Sequence, residues 1–384
     1  MYLDRPSRDR SSPVRVGALL LLIGLGVWVL SRTGSDYPPV TPAPTATRTA
    51  ASYVAEGDEA YRQGRLNDAF MAYQVALTLE PELVEVYVPL VELQVIQSQG
   101  QHDKLQEALQ MAYKAVQRAP DNAATQAALC LALDWSEQIP EAIEAGQRAI
   151  EIDPTYADGY AFLAEAYADG SQWLKATQAA QKALELAPES VTAHRVMAYV
   201  YELQGVYGAA IAEYEKAIAL NPCLAYLYVA SGRNYRNLGN LQAAIQRFTR
   251  ASELDPERVD TLYQLGRTYY QAEDFYAAID VLDRATKLDE TYAPAWAYLG
   301  LSYYRRRNYE DAAPILKQAL DLGADKIEYY YVLGFVYYYL AECDKAVVYF
   351  QKALAIDPND VSALAGMEFC GVAVPAPPPT RSSP

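Results

Sequence analysis

Residues 293–312 read APAWAYLGLSYYRRRNYEDA. Gly300 stands three residues before Tyr303, and the pair recurs at a step of 34 as Gly232/Tyr235, Gly266/Tyr269 and Gly334/Tyr337, with Tyr167 and Tyr201 extending the tyrosine column upstream. The same step carries Ala142, Ala176, Ala210, Ala244, Ala278, Ala312 and Ala346. Seven residues further on it carries Ala149, Ala183, Ala217, Ala251, Ala285, Ala319 and Ala353. Two small-residue columns seven apart fall on one face of an α-helix. Pro154, Pro188, Pro222, Pro256 and Pro358 hold another register, with Glu290 and Ala324 at its two gaps. Proline cannot continue a helix, so each one separates a helix from the next unit.

Each unit therefore holds two helices. In one of them Tyr160, Leu163, Ala164 and Tyr167 form an i, i+3, i+4, i+7 apolar stripe. A single helix pair cannot bury such a stripe, whereas stacked neighbours can, which calls for several copies and an atypical cap. Upstream, Ala108, Ala115 and Pro120 keep the register, while Ala69, Ala76 and Pro81 precede them by 39, five more than the repeat. The extra residues fall near Gln97 to Asp103. Nine units begin near Ala50, Val84, Ala123, Ala157, Val191, Ala225, Val259, Ala293 and Ile327, followed by a capping helix within 361–371.

Trp296-x-x-Leu299-Gly300-x-x-Tyr303 resembles the first-helix signature of the tetratricopeptide repeat, and Ala244-x-x-x-Phe248 and Ala346-x-x-x-Phe350 resemble its second. The resemblance is to a membrane-anchored bacterial type. It implies an all-α, right-handed superhelical solenoid over 50–371 whose first helices line a concave groove. Ala60 and Gln94 depart from the tyrosine column, and the missing prolines at Glu290 and Ala324 are expected to loosen two turns.

A formal charge of −16, from 32 Lys+Arg against 48 Asp+Glu, repels a phosphate backbone and argues against nucleic acid. Four cysteines, none in a Cys-x-x-Cys pair, and two distant histidines, His102 and His194, supply neither a metal set nor a nucleophile with its base. No phosphate-cradling glycine loop occurs. The expectation is a non-enzyme without cofactor.

Val16 to Leu30, VGALLLLIGLGVWVL, is 15 uncharged residues between Arg15 and Arg32. That length lies between a secretory core and the about 20 residues of a full span. Ser31-Arg32-Thr33 makes a poor cleavage site, and Arg5, Arg8, Arg10 and Arg15 precede the segment. The expectation is a short cytoplasmic tail (1–15), a retained signal-anchor (16–31), a Pro/Thr/Ala-rich linker (32–49), and repeats beyond the membrane, with a disordered Pro-rich tail (372–384).

On the groove faces, early stripes carry Asp58, Glu85, Glu92, Asp134, Asp158, Glu165 and Asp169. Later ones carry Arg195, Tyr199, Arg233, Arg236, Tyr263, Arg267, Tyr270, Tyr304, Tyr331 and Tyr338. Arginine and tyrosine offer bidentate and amphipathic contacts, so these ten are the candidate partner-binding residues. The alternative is interhelical packing, with the arginines paired to Glu202 and Asp260. Val88, Ala127, Ala161, Val229 and Ala297 stand where a chaperone-tail clamp of this family would need lysine, so an extended or acidic segment of another protein is the expected ligand. A spacer or self-associating module and a glycan binder are the alternatives. Arg305-Arg306-Arg307 reads as a solvated turn, with lipid-headgroup contact as the alternative. Cys130 and Cys223 read as core fillers. Cys343 opens a second helix and Cys370 ends the cap, and antiparallel packing would allow a disulfide worth about 3 kcal/mol.

Overall fold

The computed structural model describes residues 48–98 and 101–373, together with Leu21 and Leu22. From Ala50 onward it is helical throughout, with no strand among the described residues. The helices pair as α1 (Ala50–Arg62) with α2 (Leu66–Leu79), α3 (Tyr87–Ser98, entered through a 3-10 turn at Val84–Val86) with α4 (His102–Arg118), and α5 (Ala123–Trp135) with α6 (Ile139–Ile152). Next come α7 (Ala157–Asp169) with α8 (Trp173–Leu186), α9 (Val191–Leu203) with α10 (Tyr207–Leu220), and α11 (Ala225–Asn237) with α12 (Leu241–Leu254). The last pairs are α13 (Val259–Gln271) with α14 (Phe275–Leu288), α15 (Ala293–Arg305) with α16 (Tyr309–Asp321), and α17 (Ile327–Tyr339) with α18 (Cys343–Ile356), closed by α19 (Val361–Phe369).

Both alanine columns are completely buried in every unit that carries them. Any larger side chain there would push the paired helices apart. The five additional residues of the second unit go partly into α4, which starts six residues before Ala108, whereas α2 and α6 start three before Ala69 and Ala142. Side-chain caps fix several helix starts: Thr49 on α1, Asn122 on α5, Ser190 on α9 and Asp360 on α19.

The turns without proline are not loosened. At Glu290, Asp289 Oδ1 accepts from the Thr291 amide (2.9 Å) and hydroxyl (2.6 Å), as Asp153 does for Thr155 in the turn that holds Pro154 (2.8 and 2.7 Å). At Ala324 the helix stops at Asp321, and Gly323 takes the left-handed conformation (φ 93°). The amides of Gly323 and Ala324 then bond back to Leu320 and Ala319.

The turn inside eight of the nine units follows the same logic, that of the second unit lying outside the described residues. A left-handed residue recurs as Gly64, Glu137, Ser171, Gly205, Gly239, Glu273, Arg307 and Ala341, and its amide and the next one bond back into the last turn of the first helix, as at Ala341→Tyr338 and Glu342→Tyr337. Ala341 holds φ 61° without the freedom of glycine. Ala341→Gly should therefore raise stability by about 0.5–1 kcal/mol, and Gly239→Ala should lower it by a similar amount. Thermal midpoints of the two variants check this.

The array also returns upon itself. Tyr61 and Leu66 pack against the core built by α9–α15. The Tyr61 hydroxyl lies 3.3 Å from that of Tyr226, Asn221 Nδ2 donates to the Tyr61 carbonyl (3.4 Å), and Arg258 donates to the Ile96 carbonyl (3.4 Å). Gly64, at φ 73°, lies so close to Cys223 that a Cβ would overlap the Cys223 carbonyl oxygen. A cleft of about 520 Å³, lined in part by Arg65, Lys104, Asp255, Glu257 and Arg258, lies along this contact.

One expectation is corrected. No helix among the described residues is long and apolar enough to cross a membrane. Those helices run 9 to 17 residues, shorter than the about 20 a span needs, and bury their apolar faces on one another. The single-pass placement, with the repeats on the far side, is thus overturned. Segment 16–31 lies outside the described residues apart from Leu21 and Leu22, as do 1–15, most of the 32–49 linker and 374–384.

Candidate functional site

The charges on the first helices divide into two regions. In the first, Glu92 (α3), Asp134 (α5) and Glu165 (α7) are only 8, 3 and 2% exposed. Glu165 makes a bidentate pair with Arg195 of α9 (3.1 and 2.9 Å) and accepts from Trp135 Nε1 (3.3 Å). Asp169 accepts from the Tyr199 hydroxyl at 2.6 Å, and Glu92 from Thr192 at 3.4 Å. Both carboxylate oxygens of Asp134 are buried without a hydrogen-bond partner. Arg195 and Tyr199 therefore serve the acidic region, where the guanidinium is the nearest counter-charge.

Burial outweighs that counter-charge. It raises Asp134 well above the carboxylate range, helped by Glu165 and Asp169. Glu92 is held up to about 7 by burial, with Arg195 pulling down and Asp158 and Glu165 pushing up. A carboxylate raised from an ordinary 4.5 to about 7 makes the folded chain hold a proton that the unfolded chain has lost. Stability then rises as pH falls from about 7 to about 4.5, and the penalty is complete above that window. Glu92→Gln should stabilise by about 3 kcal/mol at pH 8, with the difference gone near pH 4. Urea unfolding at the two pH values measures it.

The second region centres on α11 and α13. Arg236 donates to Gln264 Oε1 (2.7 Å) and Thr268 Oγ1 (3.4 Å) and lies over the Phe248 ring (5.5 Å). Arg267 lies over Tyr298 at 5.8 Å. Among the described residues no carboxylate forms an ion pair with either, and Arg233, 43% exposed, reaches Glu202 only at 3.9 Å. Burial, then the neighbouring Arg267 and Arg233, lower Arg236 to about 10. Such mutual repulsion marks a patch of positive charge that the single long pair to Glu202 compensates only in part. Tyr263 meets Tyr298 and Tyr292 edge-on (5.8 and 5.6 Å), and Tyr270 meets Tyr298 at 5.5 Å.

Toward the cap the face becomes aromatic. Tyr304 adjoins Tyr309 (6.1 Å), which stacks on Tyr339 (4.6 Å), and Tyr338 adjoins Tyr339 and Phe369 (5.4 and 5.7 Å). Tyr331 is half-buried beside them. Cys343 and Cys370 are disulfide-bonded, with Cα atoms 5.5 Å apart. Cys130 is a buried free thiol, Cys223 a half-buried one. In the arginine turn, Arg305 pairs with Glu273 (3.2 Å) and lies over Phe275, while Arg306 lies 3.6 Å from the Tyr276 ring centre.

Arg233, Arg236, Tyr263, Arg267 and Tyr270 thus form one patch; Tyr304, Tyr331 and Tyr338 continue it; Arg195 and Tyr199 stand apart. Tyr298 and Gln264, off the groove columns, were not anticipated. Their place follows from the tight stacking of α13 on α15, which a one-helix pattern does not reveal. Among the described residues no cluster of three or more His, Cys, Asp or Glu side chains is placed to hold a metal ion.

Residues 188–374 match the family described as the C-terminal domain of cilia and flagella-associated protein 70. No curated protein matches the chain. Among solved structures, the human IFIT1 dimer with m7Gppp-AAAA is similar at 19% identity and a TM-score of 0.54, over 89% of this chain and 78% of that one. The APC/C hetero-tetramer Cut9-Hcn1 is similar at 17% identity and a TM-score of 0.53, over 84% and 76%. The C-terminal part of a TPR repeat-containing protein from Cytophaga hutchinsonii follows at 18% and 0.51, over 61% and 96%. At such identities the likeness is one of fold.

Proposed function

We propose that this tetratricopeptide-like repeat protein is a binding scaffold, not an enzyme, and that the inner face of its sixth to ninth units holds an extended acidic segment of another protein. The observation that carries this reading is that Arg236 and Arg267 have no ion-pair partner among the described residues and Arg233 has only a long one to Glu202 (3.9 Å), all three half-buried on a chain whose net charge is −16. Guanidinium groups so placed suit carboxylates, which they bind in a bidentate manner, and the tyrosines beside them supply rigid amphipathic contact.

An RNA ligand would meet the same arginines, and the similar IFIT1 structure holds m7Gppp-AAAA. The overall charge of this chain opposes a polyanion longer than the patch, which favours a short acidic stretch in a polypeptide. The test is titration of the full chain with a labelled octaglutamate peptide and, separately, a labelled oligoadenylate, repeated with Arg233, Arg236 and Arg267 all changed to Glu. Binding of the peptide that disappears in the variant supports the reading. Absence of peptide binding, or binding unchanged in the variant, overturns it and favours a spacer.

A further inference from the structure

Unit one and its neighbour do more than begin the stack. Contacts made by Tyr61, Gly64, Leu66 and Ile96 hold them against Asn221, Cys223, Tyr226 and Arg258, about 160 residues along the chain. Thr192 reaches Glu92 across the same closure. Behind it lie Glu92, Asp134, Asp158, Glu165 and Asp169, with Arg195 as the ion-pair partner of Glu165. Asp134, 3% exposed, leaves both oxygens unpartnered. A structural ion-pair network would satisfy its members, whereas this one keeps acceptor capacity it does not use.

We infer that the first unit is a clasp whose release uncovers a second binding site, an acidic stripe on α3, α5 and α7 that takes a lysine- or arginine-rich segment. With the clasp closed, Glu92 of the second unit lies against α9, with Glu92, Asp134 and Glu165 buried, Asp158 half-buried and Asp169 exposed at the edge of the stripe. Opened, the clasp presents five carboxylates with one guanidinium among them, an arrangement that suits ammonium and guanidinium groups. The site differs in sign and position from the arginine patch, so either can exist without the other.

Gly64 is the place to test it. Asparagine tolerates the left-handed conformation of that turn, yet its Cβ would collide with the Cys223 carbonyl. Gly205 occupies the equivalent turn at φ 75° with open space where a Cβ would stand, so Gly205→Asn controls for the turn itself. Two readouts are taken on the full chain: the rate at which dithionitrobenzoate modifies Cys223, and binding of a labelled octalysine peptide at physiological salt.

Gly64→Asn should speed modification at least tenfold and bring octalysine binding that wild type and Gly205→Asn lack. Adding Glu92→Gln and Asp134→Asn to Gly64→Asn should abolish that binding while the thiol stays fast, which separates the stripe from the general negative charge. Should folding of Gly64→Asn fail by circular dichroism, Asn221→Ala, which removes the bond to Tyr61, replaces it with the same expectations. An unchanged thiol rate in a folded clasp variant overturns the clasp. A fast thiol without octalysine binding, equal binding by wild type, or binding that survives the double substitution overturns the site.

Discussion

Phe350→Ala should cost about 3–5 kcal/mol and release the capping helix first. Phe350 is completely buried in α18. Its ring lies between Gly334 of α17 and Gly366 of α19, each close enough that a Cβ on it would overlap the ring, and it meets Phe335 edge-on at 5.1 Å. The flanking glycines have no side chains to collapse into the space, so truncation leaves a cavity that cannot close, the condition under which such losses are largest. The Cys343–Cys370 bond keeps α19 attached even when its packing is lost. Circular dichroism melts with and without a reductant should show a modest early transition with the bond intact and a larger one once it is reduced. A loss below about 1 kcal/mol in both would mean the cap does not depend on this ring.

Reversing Arg233, Arg236 and Arg267 to glutamate should weaken octaglutamate binding by at least about 100-fold, close to 3 kcal/mol. Hydrogen bonds to a charged group contribute about 1.5–3 kcal/mol each, and three such contacts in one patch are not additive, so the figure stands below their sum. The same change should leave the melting temperature near that of the wild type. Arg236 is lowered to about 10 by burial and by Arg267, which means the fold tolerates these charges instead of depending on them. A variant that loses both binding and several degrees of stability would show that the arginines belong to the packing.

Helix pairing was legible because it is local: the alanine columns, the prolines and the glycine–tyrosine pair each repeat at 34, and in the structure the alanines are buried, the prolines stand in turns and the tyrosines pack half-buried against the core. The charges were legible as a pattern but not as partners. Arg195 looks like a member of the basic stripe until α9 is stacked on α7, which brings it to Glu165. Asp134 looks like a groove residue until neighbouring first helices bury it. Nor did any column announce the left-handed turn residues, since glutamate, serine, arginine and alanine occupy them as well as glycine. Backbone hydrogen bonding sets that conformation, and side-chain identity only adjusts its cost. The return of the first unit onto the sixth and seventh escapes sequence altogether, because it depends on small rotations summed over several stacked pairs.

That return alters how the molecule comes apart. An open array frays from its ends, each unit being held only by its neighbours, so partial unfolding proceeds in steps. Here the first unit is held by Tyr226 and Asn221 as well as by the second, and the last is held by a covalent bond. Neither end of the array is free. Loss of any unit between the first and the seventh also breaks the long-range contact, which joins the local equilibria of those units into one cooperative block. Such a block forms slowly, because closure across about 160 residues must wait for the intervening helices to stack, and once formed it resists the stepwise peeling that limits linear arrays.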